Sequence, residues 1–442
     1  MNKKEFKRAM LCGLGRCVLA CRNDPERYRA EVLWGCTHQL AYDAQCEGSR
    51  AWLLHELVSC YPDAAPFRDA LIAALGRKSI WGWRLLQIEE LLIYMADDGD
   101  EEAEKAIWDR YEQMYSQLRA RKRLPDHYFY LIDDFEFLAS DLCCNEEDTL
   151  RILSDIGRLI LENPIYDALD FEQLHSRLTE WGRNRTAVRR KYGNKDEYAA
   201  HFFAELERLK REREALYGGS TEQNEQIRQR SPFLFSKNAD SEALHLRAEA
   251  YLNETDAEKR AELLRAFLWR RFPLDPDPII NDASSAHEPL RDAAWDALGI
   301  IRSPKVRAFA LSALEEEADK LIPLLIMNYE DKDRPLIEKL LAEASADKDG
   351  DDIIHSIGLN LNHQRDAGFK IPAWILLWFY DNNRCSCCRE NIVRELGRRR
   401  LLMDELLREC LYDANDDIRK YAEKKLEKRA AAGHEKNKNR LL

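Results

Sequence analysis

Four cysteines near the C-terminus, Cys385, Cys387, Cys388 and Cys410, have the type and spacing to do chemistry. Cys385 and Cys388 have the two-residue gap of a zinc knuckle, and Cys410 could supply a third thiolate from the following helix. A second closely spaced pair is missing, and Cys388 fills an apolar slot of a repeated helix pattern described below. Core packing of small thiols is therefore the expectation for this group, with metal or thiol chemistry as the alternative. The same expectation covers Cys12, Cys17, Cys21, Cys36, Cys46 and Cys60. Cys17 and Cys21 share one helical face, but no His or Cys pair stands at matching spacing. Adjacent Cys143 and Cys144 diverge on a helix and make poor joint ligands. No cofactor is expected.

Other familiar signatures break off. His55 and Glu56 begin a zinc-protease pattern, but Ser59 stands where the second His must be. The run DKDGDD from Asp347 places Gly350 too early for a calcium-binding loop, and Gly358 occupies the closing Glu position. No phosphate-cradling Gly-rich loop and no nucleophile elbow occur, so no catalytic residue is assigned. Asp133, Asp134 and Glu136 could line a groove, but among 80 acidic residues they read as part of a solvated face. Trp81 and Trp83 flank Gly82, and with Trp34, Trp52 and Trp108 they read as core aromatics.

One basic run stands out: Arg183, Arg185, Arg189, Arg190, Lys191 and Lys195, with Tyr192 among them and no acidic residue. Such a patch can hold phosphates or the acidic surface of a partner. The blander expectation is a basic helix end that neutralises acidic neighbours. A net charge of −12 over 442 residues disfavours the chain as a general polyanion binder.

The elements that must position these residues are helices. The N-terminal stretch from Asn2 to Cys21 reads as a first helix rather than a signal peptide, because Gly13, Gly15 and Arg16 interrupt its apolar part. The longest apolar run, Ile371 to Tyr380, contains Pro372 and is about half the roughly 20 residues that a membrane span needs. Twelve cysteines spread through a large chain suggest reduced thiols and a cytoplasmic location.

A pattern of apolar residue, Arg, small or apolar residue and Leu recurs at helical spacing. Its copies are Val306, Arg307, Ala310 and Leu314; Leu290, Arg291, Ala294 and Leu298; Ile418, Arg419, Ala422 and Leu426; and Cys388, Arg389, Ile392 and Leu396. Phe67, Arg68, Leu71 and Leu75 repeat it in the first half. The apolar members form one stripe, and the small residue lets a neighbouring helix come close, so burial of the whole stripe is expected. The organisation expected is a helical array over 1–217, a polar loop or hinge over 218–240, repeats over 241–430 and a frayed tail over 431–442. Phe233 and Phe235 are expected to pin the loop onto a neighbouring helix.

In NDDIRKYAEKKL and SPKVRAFALSAL the pattern resembles the second helix of a HEAT repeat, and CSCCRENIVREL followed by RECLYDANDDIRKYA is similar to the end of bacterial HEAT-repeat proteins. That resemblance implies an all-α fold, a right-handed α-solenoid of irregular HEAT-like helix pairs, and no particular activity. The leading functional expectation is a non-enzymatic scaffold that presents a concave surface to a protein partner. The alternatives are a nucleic-acid enzyme resembling the HEAT-like alkyl-base DNA glycosylases, and a metal or thiol sensor built on Cys385, Cys388 and Cys410.

Overall fold

The structure is a computed structural model that describes residues 1–77, 82–123, 128–182, 185–217, 235–236 and 239–438. Among the described residues every regular element is helical and no strand occurs. The chain divides into two compact units, Met1–Gly219 and Ser220–Leu442. Most of the polar segment 218–240, including Phe233, lies outside the described residues.

The first unit holds α1 (Lys3–Cys12), α2 (Arg16–Asn23), α3 (Pro25–Cys36), α4 (Ala44–Glu47), α5 (Ala51–Val58), α6 (Ala65–Leu75) and α7 (Trp83–Asp97). It continues with α8 (Glu101–Ala120), α9 (Tyr128–Leu142), α10 (Glu146–Glu162), α11 (Glu172–Gly182), α12 (Arg185–Gly193) and α13 (Glu197–Tyr217). The second unit holds α14 (Ser241–Asn253), α15 (Ala257–Leu264), α16 (Asp277–Asp282), α17 (Glu288–Leu298), α18 (Pro304–Ser312) and α19 (Ala318–Met327). After these come α20 (Arg334–Ala346), α21 (Gly350–Asp366), α22 (Ala373–Asn382), α23 (Ser386–Arg398), α24 (Asp404–Cys410) and α25 (Asp416–Lys438).

Local chemistry explains many of the boundaries. Ser303 caps α18 by accepting the Lys305 N–H, with Pro304 at the first helical position, and Asn415 accepts the Ile418 N–H at the start of α25. The single N-terminal helix expected from the sequence is two: Gly13 takes φ 73°, its N–H reaches the carbonyls of Ala9 and Met10, and α1 ends there. Helix α25 continues to Lys438, past the point where fraying is expected at 431; the alanines at 430–432 are strong helix formers.

Each unit repeats one packing step. In the first, α1 lies against α3, α3 against α5, α5 against α7, α7 against α9 and α9 against α11. In the second, α15, α17, α19, α21, α23 and α25 follow one another in the same way. The repeated stripe faces inward on α17, α18, α23 and α25: Leu290, Ala294, Leu298, Val306, Ala310, Ile392, Leu396, Ile418 and Ala422 are all buried. Leu75 and Leu426 are only half-buried, and Leu314 departs furthest from the expectation. Helix α18 stops at Ser312, so Leu314 leaves the stripe and is 43% exposed.

The arginine of the pattern has a structural task in three copies. Arg68 pairs with Asp100 at 3.3 Å, Arg307 with Asp333 at 2.5 Å and Arg389 with Asp413 at 2.7 Å. Each acid stands at or near the start of a helix further along the stack, so the pairs tie successive layers together.

Candidate functional site

Two places bring chemically competent side chains together, one in each unit. In the first unit a groove of about 460 Å3 runs between α7 and the end of α9, lined by Glu90, Ile93, Tyr94, Asp97, Asp141, Cys143 and Cys144. Helix α7 is apolar enough to be driven inward, and it takes Glu89 and Glu90 with it. Burial pushes the carboxyl of Glu90 up to about 7 and that of Asp141 up to about 6. Glu90 accepts a hydrogen bond from Ser49, and Asp141 pairs with Arg177 at 2.9 Å.

Four further carboxyls of α7 and α9 are shifted in the same direction, Asp133 among them by burial. Burial drives Glu89 up to about 8 despite its contact with Arg110 at 3.1 Å, Asp134 up to about 6 and Glu136 up to about 7. The solvated face expected for Asp133, Asp134 and Glu136 is therefore corrected. Glu136 is 3% exposed and accepts the Leu174 N–H at 2.7 Å, because α9 is packed between α7 and α11. Sequence periodicity around Phe135 and Leu138 places Glu136 off the apolar stripe, but a helix packed on two sides buries more than one stripe.

In the second unit the N-terminus of α23 meets α21. Cys385 is the N-cap of α23 and is buried, as is Cys388, while Cys387 is half-buried. His355 of α21 completes the group: a ring nitrogen of His355 and the two thiol sulfurs of Cys385 and Cys388 all lie within 4.8 Å of one another. His355 Nδ1 stands 3.7 Å from Cys388 Sγ. Hydrogen bonding with the Cys387 and Cys388 thiols holds the Cys385 thiol well below the ordinary cysteine value. Cys410, the third ligand suggested by spacing, stands outside this group. It is fully buried with its sulfur 3.6 Å from the Tyr380 hydroxyl, and burial pushes its thiol up to about 12. Sequence reading missed His355 because nothing local marks an imidazole 33 residues before Cys388.

The remaining candidates divide between core and surface. Cys12, Cys17, Cys21 and Cys36 are fully buried. Hydrogen bonding with Cys60, together with burial, pushes Cys21 up, and the same bond holds Cys60 down. In the basic run, Arg183 and the side chain of Arg185 lie outside the described residues. Arg189 pairs with Glu207 at 2.5 Å, Lys191 with Glu146 at 3.0 Å, and Lys195 also with Glu146, whose carboxyl Lys195 and Lys191 hold below its ordinary value. Arg190 is exposed.

Trp81 lies outside the described residues. The other tryptophans expected in the core are not fully buried: Trp83 is 40% exposed, Lys7 sits 3.4 Å over the Trp34 ring and Arg151 sits 4.2 Å over Trp108. Phe235 is covered by the Arg247 guanidinium at 4.6 Å, which fixes that point of the connecting segment to α14. No helix among the described residues is long and apolar enough to cross a membrane.

No family model matches the chain, and no curated protein matches it. Among solved structures, the crystal structure of an engineered protein aligns over 97% of this chain and 98% of its own at 15% identity, with a TM-score of 0.22. A likeness that low carries no argument about fold or activity.

Proposed function

We propose that this chain is a non-enzymatic scaffold in which HEAT-like helix pairs stack as a right-handed α-solenoid and present a concave surface to a protein partner. The observation that supports this reading is the repeated step in which odd-numbered helices pack one on the next from α1 to α11 and from α15 to α25, with Arg–Asp pairs between layers. Stacked helix pairs of this kind leave one layer of helices facing a common surface, which is how repeat arrays bind partners. In the first unit that layer carries the acidic groove between α7 and α9, so the partner segment that fits it is basic.

The test is affinity purification of the full chain with partner identification, followed by crosslinking. Crosslinks that fall on α7 and α9, and binding that weakens when Asp97 is changed to Lys, sustain the reading. A partner that contacts only other surfaces and is indifferent to Asp97→Lys overturns the groove as the docking site.

A second reading draws on the same groove. Carboxyls lifted to about 7 and about 6 at Glu90 and Asp141 are poised for general acid–base work near neutral pH, as a base-excising enzyme would need. Excision of an alkylated base by purified protein, lost in Glu90→Gln or Asp141→Asn, would replace the scaffold with this reading. The tie of Asp141 to Arg177 and the net charge of −12 both weigh against it.

A further inference from the structure

The meeting of α21 and α23 has the composition and the geometry of a metal site. In a tetrahedral zinc site with sulfur at about 2.3 Å and nitrogen at about 2.0 Å, neighbouring ligand atoms stand roughly 3.5 to 3.8 Å apart. The His355 Nδ1 to Cys388 Sγ separation is 3.7 Å, and the largest separation in the group, with Cys385 included, is within 4.8 Å. Small rotations of side chains bring the remaining sulfur onto the same sphere.

Three features of the surroundings favour metal-bound sulfur there. Cys385 and Cys388 occupy the N-cap and the first turn of a 13-residue helix, where the partial positive charge of the helix end stabilises thiolates. Gly358, one turn beyond His355 on α21, permits the close approach: a Cβ there would stand 3.7 Å from Cys388 Sγ and 2.6 Å from Asn383 Nδ2. Asn383 is itself fully buried, and its Nδ2 has no hydrogen-bond partner among the described residues. Asn383 Nδ2 and Cys388 Sγ both border the space that Gly358 leaves, and a buried N–H donor there is the kind of outer-shell group that supports metal-bound sulfur.

We infer that His355 Nδ1, Cys385 Sγ and Cys388 Sγ bind one thiophilic divalent cation of the zinc class, the two thiols releasing their protons to solvent as the two metal–sulfur bonds form. Three protein ligands leave a fourth position for water or for Cys387, whose thiol hydrogen-bonds to Cys385. Half-buried His355 and Cys387 give the ion a way in. The inference replaces the core-packing expectation for Cys385 and Cys388 and leaves it standing for Cys410.

The experiment uses the full chain, stripped of metal with a chelator under reducing conditions and titrated with Co2+ and then Zn2+. The expected result is a 1:1 cobalt complex with sulfur-to-cobalt charge-transfer absorption, discharged by one equivalent of zinc. His355→Ala should weaken cobalt binding by tenfold or more, and Cys388→Ser should abolish the charge-transfer band or reduce it by about half. Circular dichroism on each variant separates lost ligation from lost folding, and half-buried His355 is the position least tied to the core. Cys410→Ser should bind cobalt as the parent does. Absence of the charge-transfer band in the folded parent chain overturns the site, and so does a complex unchanged in folded His355→Ala.

Discussion

The groove between α7 and α9 and the α21–α23 junction are both made by packing one odd-numbered helix on the next, yet they perturb their titratable groups in opposite senses. In the first unit, burial dominates and raises a set of carboxyls toward neutrality. In the second, hydrogen bonds from neighbouring thiols at a helix N-terminus hold the Cys385 thiol below its ordinary value. The difference teaches that the stacking architecture sets proximity, while the chemical outcome depends on what partners the stack delivers with each charge. The layer-tying pairs show the same contrast: Arg389 and Asp413 are both fully buried, whereas Arg68 and Asp100 keep 17% and 20% of their side-chain surface.

The sharpest way to break this comparison is to cut one layer pair in each unit. Arg389→Ala leaves Asp413 charged and sealed from water, and should destabilise the second unit by about 3 to 5 kcal/mol. Arg68→Ala should cost about 1 kcal/mol or less, because solvent screens its partners. Urea denaturation of the two variants measures the contrast, and equal losses would show that burial does not distinguish the two pairs. Next in size, Leu298→Ala should cost about 2 to 5 kcal/mol, because Leu298 is fully buried in the stripe of α17.

The buried carboxyls of α7 predict an unusual dependence on pH. A carboxyl whose folded value lies above its unfolded one holds its proton more tightly when folded. Its stabilising effect is complete below the unfolded value and is lost as pH rises through the folded one. For Glu90 that window runs from 4.5 to about 7, and for Glu89 from 4.5 to about 8. The melting temperature should therefore fall as pH rises from 6 to 8 on the order of these windows. Glu90→Gln should stabilise the chain by about 1 kcal/mol at pH 8 and flatten part of that slope. Thermal melts across the range check it, and an identical slope in the variant would show that Glu90 is not the group titrating. The smallest expected effect belongs to Leu314→Ala, within about 0.5 kcal/mol, since that side chain has left the stripe.

The sequence by itself determined the all-helical class, many helix starts and most of the residues that face inward. Those properties are local: an apolar stripe at helical period, a Ser–Pro or Asn–Asp start and a glycine stop act within one or two turns. Even so, Gly13 divides a helix that reads as continuous, and α18 ends before its Leu314. Only the tertiary structure decided the sites. Asp134 and Glu136 read as solvated acids until the packing of α9 between α7 and α11 took them from water. Cys385 and Cys388 carry a spacing that admits a metal, but the imidazole that completes the group comes from α21, and Cys410, nearer by sequence pattern, packs elsewhere. Periodicity fixes which face of a helix is apolar; which side chain from another helix arrives opposite a given atom depends on how helices tens of residues apart settle against each other.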